Sequence, residues 1–212
     1  TYFVTNGTST ANKIVWHSMA GRGDLVIVDR NCHKSLLHSL IMTGATPIYF
    51  TPARNDYGII GPIGLDQFSA ASIRKKVAAS SIARHAKGRV RIAVVTNSTY
   101  DGLCYNAEKI KAVAANQVDA LHFDEAWYAY AAFHEFYAGR HAMGVPRGHP
   151  RADHTLVFAT HSTHKLLAGL SQASQILVQD SENRKLDRDV FNEAYLMHTS
   201  TSPQYSIIAS CD

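Results

Sequence analysis

The chain has little cysteine, no long apolar run and no strong excess of either charge, and each shortage removes a class of protein. Cys32, Cys104 and Cys211 are an odd number at wide spacing, which fits neither a disulfide framework nor a CxxC metal knuckle, so reduced, packed thiols are expected. Nothing approaches the roughly 20 apolar residues that cross a bilayer, and the first residues show no basic, apolar, small-residue leader pattern. A cytoplasmic protein without a membrane partner is expected. The net charge of +4 over 212 residues contains no extended basic run, so no nucleic-acid partner is expected either. The twelve histidines avoid HxxxH and HExxH spacing beside carboxylates, which argues against a metal site. Internal repeats and low-complexity tracts are also missing, so a single domain is the simplest organisation.

What is present is a hydrophobic content of 46%, enough for a buried core. Short apolar runs alternate with helical patterns, the signature of βαβ units around a mainly parallel sheet covered on both faces. The runs Tyr2 to Thr5, Leu25 to Asp29, Pro47 to Phe50, Arg91 to Thr96, Ala120 to Asp124, Thr155 to Ala159 and Ile176 to Gln179 predict seven strands. Apolar spacings of three and four predict helices over Ala11 to Met19, Lys34 to Met42, Leu65 to Ala79 and Ala107 to Ala115, with Gly44 as a stop and Asn106 as an N-cap. The fold class is therefore α/β, a three-layer αβα arrangement on a seven-stranded sheet. Ala142 to His154, with Gly144, Pro146, Gly148 and Pro150 among basic residues, reads as an exposed loop. The first residues read as a strand already under way and the last stop without a closing element, so a piece of a longer polypeptide is expected.

Four segments can carry chemistry. The turn Thr5-Asn-Gly-Thr-Ser-Thr-Ala-Asn-Lys13 joins a strand to a helix. Its free N–H groups, its hydroxyls at Thr8, Ser9 and Thr10 and the helix dipole suit a phosphate, although Walker spacing is absent. A simple helix cap by Thr8 or Ser9 is the alternative. The segment from Ala159 to Ser174 carries Lys165 among hydroxyls and two histidines. Leu166, Leu167 and Leu170 point to a packed setting, in which a lysine has a lowered pKa and becomes a Schiff-base-forming amine; a surface lysine beside a cap is the alternative. Ser162 and His164 offer further donors to the same phosphate. In HFDEAW, Asp124 ends an apolar strand, the end at which open parallel sheets bind ligands. A carboxylate there can keep a pyridine nitrogen protonated, while a metal ligand or a cap are its alternatives. In DRNCHKS, His33 follows a strand and can stack on a flat ring whose other face meets the small Ala126; a purely structural histidine at a strand end is the alternative.

Together these residues resemble the prokaryotic-type ornithine/lysine/arginine decarboxylases, a branch of fold-type I pyridoxal-phosphate (PLP) enzymes. The resemblance runs through nearly the whole chain, in VTNGTSTANK, DRNCHKS, TNSTYDGLCYN, HFDEAW, THSTHKLLAGLSQAS and FNEAYLMHTSTSPQY, in the family's order. It implies that residues 1–212 are a PLP-binding major domain. Lys165 is then the Schiff-base lysine and Asp124 the partner of the pyridine nitrogen. Gly7, Thr8, Ser9, Ser162 and His164 cradle the phosphate, His33 and Ala126 take the two ring faces, and Trp127 shapes the pocket. It further implies a homodimer or higher homo-oligomer with the active site at the dimer interface, where Ser200 reaches the partner's phosphate. HFDEAWYAYAAF and GLCYNAEK look similar to the biodegradative arginine branch, so arginine is the expected substrate, with lysine or ornithine as the alternative. Transamination, aldol chemistry and a cofactor-binding core without turnover stay open. By resemblance only, the reaction consumes a cytosolic proton and serves acid tolerance or polyamine supply.

Overall fold

The computed structural model describes residues 1–86, 88–144 and 151–212. In chain order its elements are β1 (Tyr2–Val4), α1 (Thr8–Met19), β2 (Leu25–Asp29), α2 (Lys34–Thr43), β3 (Thr46–Phe50), α3 (Ala70–Ala79), β4 (Val90–Thr96), α4 (Ala107–Ala114) and β5 (Ala120–Asp124). There follow β6 (Leu156–His161), α5 (Thr163–Leu166), β7 (Ser174–Gln179), α6 (Arg188–His198) and α7 (Tyr205–Ala209), with 3-10 turns between some of them. Among the described residues no helix is long and apolar enough to cross a membrane.

The sheet runs β1-β7-β6-β5-β4-β2-β3. Strands β3, β2, β4, β5 and β6 pair in parallel, while β7 is antiparallel to both of its neighbours. This is the mainly parallel seven-stranded sheet that the sequence predicts. Pro47 lies in β3, at the sheet edge, where a missing N–H costs least.

Alternation along each strand divides the core in two, because successive side chains leave a strand on opposite faces. Leu25 and Ile27 of β2 pack with Val95, Leu121, Phe123, Ile73 of α3 and Ile110 of α4. Val26 and Val28 of the same strand pack with Ile92, Val94, Phe158, Ile14 and Val15 of α1, and Phe191 of α6. The result is three layers, with α1, α2 and α6 on one face and α3 and α4 on the other. Phe158 stacks on Phe191 at 6.4 Å between centroids, tying α6 to the centre of the sheet.

The helix boundaries follow local chemistry. Gly44 ends α2 in the left-handed conformation, φ 66°, as a stop residue must. The Asn106 side chain accepts from the Lys109 N–H at 2.9 Å and caps α4. The helix predicted over Leu65 to Ala79 is broken. Leu65–Phe68 form a 3-10 turn, and Ser69, in extended conformation, accepts from the Ser72 N–H and starts α3 afresh. A serine that bonds its own backbone favours a cap over a helix interior. Of the loop predicted over Ala142 to His154, residues 145–150 lie outside the described residues, and those on either side form turns or irregular chain.

Candidate active site

Connections from β2 lead outward to β3, whereas β4 lies on its other side, so the chain reverses direction between β2 and β4. Open α/β sheets place ligands at the carboxyl ends of strands near such a reversal. A cavity of about 260 Å³ lies there, against the start of α1. Ten of the expected residues line it: Gly7, Thr8, Ser9, His33, Asp124, Ala126, Trp127, Ser162, His164 and Lys165. Ser200 does not; it is exposed and its hydroxyl accepts from the Ser202 N–H at 3.1 Å.

One end of the cavity is built from donors. Gly7, at φ 77°, turns the chain out of β1 and gives its N–H to Gln172 O at 2.9 Å. No side chain caps α1, so the cap alternative for Thr8 and Ser9 is not realised. The buried Thr8 hydroxyl instead meets Ser162 Oγ at 2.6 Å, bringing the start of α1 to the end of β6. Among the described residues the N–H groups of Thr8 and Ser9 have no acceptor, as expected in the first turn of a helix. His164 donates from Nδ1 to Ala173 O at 2.7 Å, since a carbonyl can only accept. The free N–H groups of Thr8 and Ser9, the remaining proton of the Thr8/Ser162 hydroxyl pair and the dipole of α1 make an anion site.

The other end is a carboxylate. Asp124 closes β5, is 3% exposed, and accepts from Asn12 Nδ2 at 3.0 Å and from the Ala126 N–H at 3.3 Å. Burial raises its pKa, and the Asn12 hydrogen bond only partly offsets this. His33 and Ala126 also line the cavity, as do Trp127 and Tyr100, which form an edge-to-face pair at 5.8 Å. Lys165 Nζ lies 4.4 Å from the Trp127 ring centroid. Burial lowers the Lys165 pKa, and the negative charge of Asp124 works against that shift.

The setting of Lys165 differs from the one expected. Leu166 and Leu170 are half exposed, at 50% and 51%, so the leucines do not enclose the amine; Trp127 does. The sequence reading also passed over Asn12, Thr96, Ser98, Tyr100, Ser171 and Gln172, which complete the lining. Asn12 carried a signal, being a polar residue on the apolar stripe of an amphipathic helix. The segment TNSTYDGLCYN held three of the others without a role assigned to them. Among the described residues no cluster of His, Cys, Asp or Glu could hold a metal ion.

A lysine, a carboxylate and a helix-start anion site thus line one cavity, and the chain can be compared with known proteins. The family model described as Orn/Lys/Arg decarboxylase, major domain, matches residues 1–212. Lysine decarboxylase LdcA of Pseudomonas aeruginosa is 68% identical over all of this chain, which spans 28% of that protein. The solved structure of lysine decarboxylase A from Pseudomonas aeruginosa superposes with a TM-score of 0.91 over 99% of this chain and 28% of that one. The biodegradative arginine decarboxylase of Escherichia coli is 47% identical over 99% of this chain and 27% of its own length. Serine palmitoyltransferase of Sphingomonas wittichii, at 16% identity, covers 98% of this chain and 44% of its own and shares the fold alone, with a TM-score of 0.63. The chain thus spans little more than a quarter of the curated relatives it matches. The expectation of arginine is not supported, since the lysine enzyme is the more similar by a wide margin. On its sequence, from end to end, the chain belongs to the Orn/Lys/Arg decarboxylase family.

Proposed function

We propose that this chain is the PLP-binding major domain of an enzyme that decarboxylates lysine to the corresponding diamine. The observation that carries the reading is the convergence of Lys165, Asp124 and the Thr8/Ser162 hydroxyl pair on one cavity. The donor set fits the cofactor at both ends, with an anion site where a phosphate belongs and a buried carboxylate where a ring nitrogen belongs.

The residues divide the work. Thr8, Ser9, Ser162 and His164 bind the phosphate, and Gly7 gives the turn that exposes the helix start. His33 and Ala126 would hold the ring, and Trp127, paired with Tyr100, forms the wall beside Lys165. Lys165 Nζ, biased toward the neutral amine by burial, is the group that would hold the cofactor's aldehyde and yield to the substrate amine. Asp124, whose buried charge has no cation within ion-pair distance among the described residues, keeps a proton on the ring nitrogen. Bound pyridoxal phosphate supplies an electron sink for the pair released when the substrate carboxylate leaves as carbon dioxide. A proton then enters at the same carbon, so each turnover takes up one proton and releases one carbon dioxide.

Identity to a lysine decarboxylase supports lysine over arginine, which becomes the alternative. We further propose a homo-oligomer with Ser200 directed at a partner's phosphate; its exposure and the exposed Leu166 and Leu170 beside the site support a surface covered by a second copy. The three free thiols suit a reducing, cytoplasmic setting. The test compares cadaverine release from lysine with agmatine release from arginine by the full-length protein. A clear preference for lysine is expected, and a preference for arginine or formation of a keto acid would reject the reading.

A further inference from the structure

Behind the cavity lies a chain of buried polar groups that the proposed chemistry does not use directly. Asn12, Ser35, His122 and Thr160 are each no more than 1% exposed, although they come from α1, α2, β5 and β6. Their hydrogen-bond directions can be worked out from groups that act in one sense only. The Asp124 carboxylate can only accept, so Asn12 must turn its Nδ2 toward it, at 3.0 Å. The same Nδ2 reaches Ser35 Oγ at 2.9 Å. Asn12 Oδ1 then faces Thr160, whose hydroxyl donates to it at 2.8 Å. With its proton committed, Thr160 Oγ accepts from His122 Nε2 at 3.1 Å. His122 is wholly buried and held neutral, its pKa pushed down to about 3 by desolvation. At the other end the Ser35 backbone N–H, which can only donate, meets His33 Nδ1 at 3.2 Å, with Ser35 Oγ at 2.8 Å from the same nitrogen. His33 Nδ1 is therefore an acceptor, and the ring proton sits on Nε2.

We propose that Asn12 is a positioning residue, oriented from behind by Thr160 and His122, whose single amide aims the Asp124 carboxylate and, by donating to the Ser35 hydroxyl, turns that hydroxyl's proton toward His33 Nδ1. The inference rests on the PLP reading above and adds to it the groups that set the two ring contacts. Without the Thr160 hydroxyl the buried Asn12 Oδ1 loses its donor, and the amide is held less firmly in the orientation that presents Nδ2 to Asp124.

The test uses cofactor affinity, read from tryptophan fluorescence as the full-length apoprotein is titrated with pyridoxal phosphate. Thr160→Val keeps the side-chain volume and removes the hydroxyl; Thr160→Ser keeps the hydroxyl and removes a methyl group. Orientation through the hydroxyl predicts an affinity about tenfold weaker for the valine variant and within about threefold of wild type for serine. A packing role predicts the reverse order, so a serine variant weaker than the valine variant, or a valine variant that binds as wild type does, overturns the proposal. Should the valine variant fail to fold, Asn12→Asp takes its place, because it keeps the shape and sets a second carboxylate against Asp124. Its affinity is expected to fall by about tenfold or more at neutral pH and to recover on acidification. Unchanged affinity in that variant overturns the proposal. A wild-type protein that binds no pyridoxal phosphate would reject the functional reading itself, whereas wild-type binding with indifferent variants rejects only the role of Asn12.

Discussion

Asp119 and Asp124 stand at the two ends of β5, both buried, and the chain treats them in opposite ways. Around Asp119 gather the guanidinium groups of Arg89, Arg91 and Arg184, the last at 3.2 Å. Around Asp124 the described residues supply only the Asn12 amide and the Ala126 N–H, with no cation at ion-pair distance. A buried carboxylate without a countercharge is costly, so a fold retains one where something else answers it. At the amino end of the strand the protein answers its own charge and gains structure. At the carboxyl end the group has no cation at ion-pair distance among the described residues and faces the cavity, and in the function proposed above its partner is a protonated ring nitrogen.

Two substitutions and one pH series test that contrast. Asp119→Asn removes the charge that three arginines share, and chemical denaturation is expected to show a loss of about 3 kcal/mol or more, with turnover per folded molecule retained. Equal loss of turnover in the refolded variant would break the division between the two ends. Asp124→Asn should do the reverse, lowering lysine decarboxylation by about a hundredfold while the denaturation midpoint of the apoprotein does not fall. Smaller still is the pH response of the apoprotein. Because folding raises the Asp124 pKa above 3.8, the folded state binds more protons than the unfolded state in the window between 3.8 and the raised value. The contribution of Asp124 to stability therefore declines as pH rises through that window. Wild-type apoprotein should lose stability there relative to Asp124→Asn, and cofactor should restore it. A difference that is flat with pH would show that burial does not perturb Asp124.

A fourth expectation concerns the three-layer core. Phe191→Ala, which opens a cavity between α6 and Phe158, should destabilise the protein by about 3 kcal/mol. A negligible change would mean that α6 is not part of the cooperative unit.

Much of this arrangement was legible before any coordinates. All seven strands were marked by apolar, β-branched runs, because strands covered on both faces leave no room for polar alternation. The reversed direction of β7 was not legible, since a run such as Ser174 to Gln179 has no polarity along its length. Helix α6 also went unread as a helix, although Asp187 caps it and Phe191, Ala194 and Tyr195 follow helical spacing. Ten of the expected residues meet at one cavity; eight could be singled out from their chemistry and their place after strands or at helix starts, whereas Gly7 and Trp127 came from the family resemblance. The relay behind them could not, because Asn12, Ser35, His122 and Thr160 are joined across α1, α2, β5 and β6, and each alone reads as an ordinary polar residue. The enclosure of Lys165 was anticipated for the wrong reason. Adjacent leucines signal apolar content without direction, and here Leu166 and Leu170 face outward while Trp127 covers the amine.

The central claim is that Lys165 is the amine that holds the cofactor. Full-length protein loaded with pyridoxal phosphate should absorb in the visible region, and borohydride should abolish that band and leave the cofactor's mass on the peptide containing Lys165. Cofactor mass fixed to a different lysine, or a band that borohydride leaves intact, would contradict the account.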